Sequence, residues 1–119
     1  MKNLKMYCIC IHDELLPKLK SINYIPVGLG ENKFSSEWIT DKSGENISEK
    51  NRFYGEYTFH YWFWKNQIKK IDDNDWIGFC AYRRFWLNQL EESNKNQKFK
   101  DKVLNSVPEI WKDYEEILG

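Results

Sequence analysis

Read for hydrophobic and polar positions, the chain opens on a short apolar run, Leu4–Ile11, with no helical spacing, which predicts a buried strand. Residues 14–21 read as a short helix or a loop, weakened by Pro17. "NYIPVGLGEN" predicts a second strand near Tyr24–Val27, after which Gly28 and Gly30 permit a tight turn or a close ligand approach. Residues 31–47, rich in Asn, Ser, Asp and Gly, read as a long loop. The strongest helical pattern follows. Tyr57, Tyr61, Trp64, Ile68 and Ile71 make a continuous apolar stripe on one face, Ser48 or Asn51 can cap its start, and Gly55 hints at a close neighbour. Residues 72–75 are a polar break, and Trp76–Ala81 reads as a further buried strand. Residues 91–102 read as a polar, solvated segment, and a short helix with Ile110, Tyr114 and Ile117 in phase is expected after Pro108.

The order strand, strand, helix, strand, helix predicts an α/β fold, a Rossmann-type layered arrangement with a mostly parallel sheet. The chain stops at Gly119 where another strand is expected, which reads as an incomplete amino-terminal half. At 119 residues it is a single domain over 1–119. A formal net charge of zero argues against a dedicated nucleic-acid binder. Aromatic residues form 17% of the chain, so either the core is bulky or the surface carries rings for binding. The apolar run Met6–Ile11 is too short to span a bilayer and lacks a cleavage site, so a cytoplasmic protein is expected. Three cysteines, an odd number without a spaced framework, suit a reducing compartment. Cys8, Cys10 and His12 share one strand face and, with Cys80, have the chemistry of a zinc site; packing is the favoured role of such cysteines.

Candidate chemistry concentrates in "DNDWIGFCAYRRFW", residues 73–86. Ligands of open α/β sheets bind outside the carboxyl ends of the strands. That rule sets Asp73 and Asp75 at the wrong end of their strand and reads them as a turn, so a divalent metal is not favoured. Tyr82, Arg83 and Arg84 follow the strand, as His12 and Asp13 follow the first, and the start of the long helix brings Asn46, Ser48, Lys50 and Asn51. These segments are expected to converge on one anion-binding crevice with the helix N-terminus. Arginine can grip a phosphate bidentately, and two arginines suit a diphosphate. Alternation puts Arg83 and Arg84 on opposite faces, so a joint grip needs a bend; the structural alternative pairs one of them with Glu56 or an acidic loop. His60 reads as a packing residue, and Trp62 and Trp64 as core, with one ring a candidate to line the site. No residue is assigned as catalytic.

Three ordered blocks resemble a known bacterial family, the capsular-polysaccharide and lipopolysaccharide glycosyltransferase-like proteins catalogued as a domain of unknown function. The first block is Asn46-Ile47-Ser48-Glu49-Lys50-Asn51. The second holds Tyr54, Glu56, Thr58, Tyr61, Trp62, Trp64, Lys65 and Asn66, and the third Ile77, Gly78, Tyr82, Arg83 and Arg84. The resemblance implies a GT-A-like fold and a nucleotide-sugar donor transferred to a glycan or lipid-linked acceptor, without a further cofactor. On this reading Arg83 and Arg84 stabilise the leaving diphosphate, Asn46, Ser48 and Asn51 orient the donor, and His12 contacts base or ribose. Ala81 and Glu45 depart from the family's His or Gln and Asp. Family members are longer, which implies that the acceptor half and the catalytic base lie beyond Gly119. Two alternatives stand beside this reading: a non-catalytic nucleotide- or glycan-binding fragment, and an aromatic-rich interaction domain with possible self-association.

Overall fold

The computed structural model describes residues 3–88, 98–109 and 111. Its sheet has four strands, β1 (Leu4–Cys10), β2 (Ile25–Gly28), β3 (Ile39–Thr40) and β4 (Trp76–Ala81), in the order β3-β2-β1-β4. All pairings are parallel; β1 is central, with Tyr7 opposite Ile25 on one side and Phe79 on the other. The α/β fold with a Rossmann-like parallel sheet is therefore as expected. β3 was hidden inside the predicted loop, since a strand of two residues carries no periodicity.

β1 is buried on both faces, which explains its unbroken apolar run. Met6, Cys8 and Cys10 point to one face with Leu19, Ile22 and Tyr24; Tyr7 and Ile9 point to the other with Val27, Phe59, Trp62 and Phe63. On the second face Tyr7, Phe63 and Phe79 meet edge-on or stacked, with Tyr7–Phe63 centroids 5.1 Å apart and Phe63–Phe79 5.3 Å apart. Gly78 lies opposite Met6, and a Cβ there would come within 2.6 Å of the methionine methyl. Bulk on β1 is thus matched by its absence on β4, and a side chain at 78 would have to displace the end of Met6.

The crossover from β1 to β2 is helix α1 (Leu16–Ser21). Pro17 sits in its first turn, where a missing N–H costs nothing. Asn23, at φ 59°, ends it: the Tyr24 N–H reaches the Leu19 carbonyl and the Asn23 N–H that of Lys20, the paired bonds of a Schellman cap.

The long helix differs from expectation. A 3-10 turn (Ser48–Lys50) leads into α2 (Asn51–Tyr54), Gly55 interrupts, and α3 (Tyr57–Trp62) continues into a π-type turn over Phe63–Gln67. Gly55 has φ 56° and ψ −131°, and among the described residues no atom beyond its chain neighbours lies within 4 Å of where a Cβ would sit. The glycine therefore serves the backbone and not a close neighbour. Three residues of the stripe read from the sequence face outward, Tyr57 at 67% exposure, Trp64 at 57% and Ile68 at 48%, whereas Tyr61 is half-buried and Ile71 packs against the second-face core. The buried face is Thr58, Phe59, Trp62 and Phe63. A short helix, α4 (Phe99–Lys102), covers part of the first face. It lies in the segment expected to be polar and solvated, but Phe99 packs edge-on against Phe85 at 5.2 Å. Residues 89–97 and most of the helix expected after Pro108 lie outside the described residues.

Candidate functional site

Strand order reverses at β1: the chain leaves it towards β2 and β3, then returns on its far side as β4. The carboxyl ends of β1 and β4 thus border the crevice that such sheets use for ligands. The Tyr82 N–H donates to the Ile9 carbonyl at 3.0 Å, extending the ladder by one residue, and the Arg84 N–H returns to the Ala81 carbonyl at 2.9 Å. This tight turn supplies the bend that alternation demanded, but it separates the two arginines. The Arg83 guanidinium lies over the Tyr82 ring at 5.1 Å, and the His12 ring stands edge-on to Tyr82 at 6.3 Å. Arg84 instead lines a cleft of about 380 Å³ with Glu56, His60 and Trp86 over a floor of Ile9 and Phe79. Neither guanidinium forms an ion pair among the described residues. Glu56 shares the cleft with Arg84 without pairing to it, so the structural alternative for that arginine is not what the geometry shows.

The expected single crevice resolves into three clefts along the carboxyl edge. His12 lines one of about 530 Å³ with Asp13, Asn32 and Lys33, whose Asn32 amide donates to the Ile11 carbonyl at 2.6 Å. Ser48 and Asn51 line another of about 530 Å³ with Gly30, Lys42 and Arg52. Gly30, at φ 86°, brings bare backbone to that cleft, as its position after β2 suggested. Lys50 is exposed but is not among the residues lining these clefts. Asn46 is structurally committed. Its amide donates to the Lys42 and Gly44 carbonyls, and its oxygen accepts from both the N–H and the hydroxyl of Ser48. Asn51 donates to the Gly55 carbonyl and to the Thr58 hydroxyl. The helix N-terminus expected to bind an anion is also reduced, because α2 is one turn long and its dipole correspondingly small. At the end of β3, Asp41 is buried with its Oδ2 unpartnered among the described residues.

The aspartates at the other end of β4 behave as a turn. The Asp72 side chain accepts from the Asn74 N–H at 2.8 Å, and the Asp75 carboxylate pairs with Lys5 at 2.9 Å, stitching the start of β4 to β1. Asp75 holds the Lys5 ammonium above its usual range by hydrogen bonding. The described residues contain no group of three or more His, Cys, Asp or Glu side chains able to hold a metal ion. The Cys8 and Cys10 sulfurs lie 4.0 Å apart in the core. Hydrogen bonding with Cys10 and Cys80, and then burial, holds the Cys8 thiol protonated well above the usual range. These cysteines pack.

Residues 5–118 match the family described as Domain of unknown function (DUF4422). The chain belongs to this family. No curated protein and no solved structure matches it. No helix among the described residues is long and apolar enough to cross a membrane.

Within this DUF4422 chain, the Asn51 amide of the first motif block donates to the Thr58 hydroxyl of the second, and the second block also holds the residues just before the first. The Trp62 indole N–H donates to the Ser43 carbonyl at 2.9 Å, and the Asn66 amide donates to the Glu45 carbonyl at 2.8 Å. Trp62 is core, as expected. Trp64 is not: it stands outside with the Lys65 ammonium 3.9 Å above its ring. Sequence reasoning missed Glu56, His60 and Trp86 as cleft residues. The signal for the first two was their spacing of four along a helix, which aligns them on one face. For Trp86 there was none, because its orientation comes from an indole N–H bond of 2.8 Å to the Phe79 carbonyl.

Proposed function

We propose that this DUF4422 chain is the donor-binding part of a nucleotide-sugar-dependent glycosyltransferase acting in bacterial surface polysaccharide biosynthesis. One observation carries the reading: the Arg84 guanidinium, without an ion pair among the described residues, lines a cleft at the carboxyl end of β4, where strand order reverses. An arginine at that place suits a phosphate, and the cleft's aromatic and apolar walls suit a sugar or base. The motif resemblance supplies the reaction class. Arg84, with Arg83 near Tyr82 and His12, carries the charge that a divalent cation carries in other transferases. The acceptor is a glycan or a lipid-linked glycan.

Melting temperature measured with UDP, UDP-sugars, GDP-sugars and free sugars, with and without EDTA, tests this reading. A nucleotide that binds the native state raises it. The rise is expected with a nucleoside diphosphate, unaffected by EDTA and lost in Arg84→Ala. No shift with any nucleotide rejects the proposal, and a shift abolished by EDTA rejects its metal-free form. A second reading, an interaction or glycan-binding surface, is favoured by the exposed rings of Phe53, Tyr54, Tyr57 and Trp64. Concentration-dependent melting without ligand, or a shift with free sugars alone, decides for it.

A further inference from the structure

The Arg84 cleft contains a group that an anion site should avoid. Glu56 lines it with Arg84, and a carboxylate there repels any phosphate the arginine holds. Its placement is nonetheless well defined. Gly55 turns the backbone through a conformation open to glycine immediately before it, and the Glu56 carbonyl accepts from the N–H groups of Phe59 and His60 to start α3. A backbone conformation of that kind beside a cleft residue motivates a functional hypothesis. The carboxylate itself is exposed and makes no hydrogen bond or ion pair among the described residues. An ionised carboxylate only accepts hydrogen bonds, so its natural ligand in this cleft is a neutral hydroxyl. Trp86 completes the setting: its indole N–H is already taken by the Phe79 carbonyl, which fixes the ring as a wall for the apolar face of a sugar.

We infer that Glu56 is the general base that activates the acceptor hydroxyl. The inference rests on the donor-binding reading and adds a catalytic residue to it. The acceptor hydroxyl gives its proton to the Glu56 carboxylate as its oxygen bonds to the anomeric carbon. The bond from that carbon to the diphosphate oxygen breaks, and its electron pair leaves with the nucleoside diphosphate, whose growing charge faces Arg84. The base then lies within this chain, not beyond Gly119 as the family resemblance implied.

Nucleoside diphosphate release from UDP-glucose, UDP-galactose, UDP-N-acetylglucosamine and GDP-mannose, with water or free monosaccharides as acceptor, tests the inference on the 119-residue chain. Glu56→Gln keeps size and polarity on an exposed side chain. It is expected to lower release at least about 100-fold while UDP binding is kept or tightened, because a like charge has gone. Glu56→Asp, which retracts the carboxylate, is expected to fall between the two. Release by Glu56→Gln at the wild-type rate overturns the inference, as does weaker UDP binding, which would put Glu56 in the grip on the nucleotide. Wild-type chain that binds nucleotide and releases none from any of the four donors also overturns it, with the donor-binding reading intact. Absence of nucleotide binding by the wild-type chain removes that reading first.

Discussion

Gly55 shows how one residue can act through its backbone alone. Its φ of 56° with ψ of −131° lies where side chains are rarely found, yet no other described residue comes near the place of a Cβ. Crowding and strain therefore separate cleanly here. Gly55→Ala is expected to destabilise the chain by about 1–3 kcal/mol through strain alone. Denaturant unfolding should show the midpoint lowered with an unchanged slope, since the surface exposed on unfolding is the same. An alanine variant as stable as wild type means that the interruption between α2 and α3 is not held by this residue. Arg83 and Arg84 teach a related lesson. They are neighbours in sequence, but the turn that returns the Arg84 N–H to Ala81 sends one guanidinium over Tyr82 and the other into the Glu56 cleft.

Among the elements, the segment from Lys42 to Asn46 owes its shape to the helix it touches. Trp62 and Asn66 donate to its carbonyls, the Tyr61 hydroxyl reaches Glu45 at 3.4 Å, and a Cβ on Gly44 would fall 2.3 Å from the Asn66 oxygen. Asn66→Ala removes the bonds to the Glu45 and Trp62 carbonyls and is expected to cost about 1 kcal/mol. The larger effect should be local. Trypsin cleavage after the exposed Lys42 is expected to accelerate by more than the loss of global stability accounts for, because the loop opens without the core. Equal changes in both would place Asn66 in the global fold and not in the clip. The same scale explains what could be read in advance. β1 and β4 were legible because strands buried on both faces leave continuous apolar runs, and strand polarity alone ranked Tyr82–Arg84 above Asp73 and Asp75. The helix face was misread because two apolar sets run along it at helical spacing. Phe59, Trp62 and Phe63 are the set that packs on the sheet, so Tyr57, Trp64 and Ile68 mark the solvent side. That Glu56 and Arg84 line one cleft is a tertiary outcome, with Phe59 and His60 of α3 packed on Phe79 of β4, and nothing in local spacing encodes it.

At the scale of the whole molecule, the two faces of the sheet are closed by groups that must stay protonated, and this sets how the fold responds to alkali. Tyr24 is buried on the first face, where its hydroxyl donates to the Leu104 carbonyl at 2.6 Å and joins the start of β2 to the segment after α4. Burial, and then the nearby cysteines, push its phenol above the ordinary value of 10.0. Burial does the same to Tyr7 on the second face, and Asp75 raises Lys5 at the start of β1. All three groups have folded pKa values above their unfolded ones. Between those values the native state binds more protons than the unfolded chain, so stability falls as pH rises. Their contribution is fully present below pH 10.0, the ordinary value for tyrosine, and is lost progressively above it. Melting temperature should therefore show a downward turn that begins near pH 10.0 from these groups. Tyr24→Phe isolates one contribution. At neutral pH it loses a buried hydrogen bond and leaves the Leu104 carbonyl without that donor, a cost of about 1–3 kcal/mol. Above pH 10.0 the wild-type chain loses stability through Tyr24 ionisation in the unfolded state, which phenylalanine cannot do, so the gap between the two proteins should narrow. A gap that stays constant across the alkaline range would mean that Tyr24 ionises alike in both states and that its contact with Leu104 does not hold β2 to the outer segment.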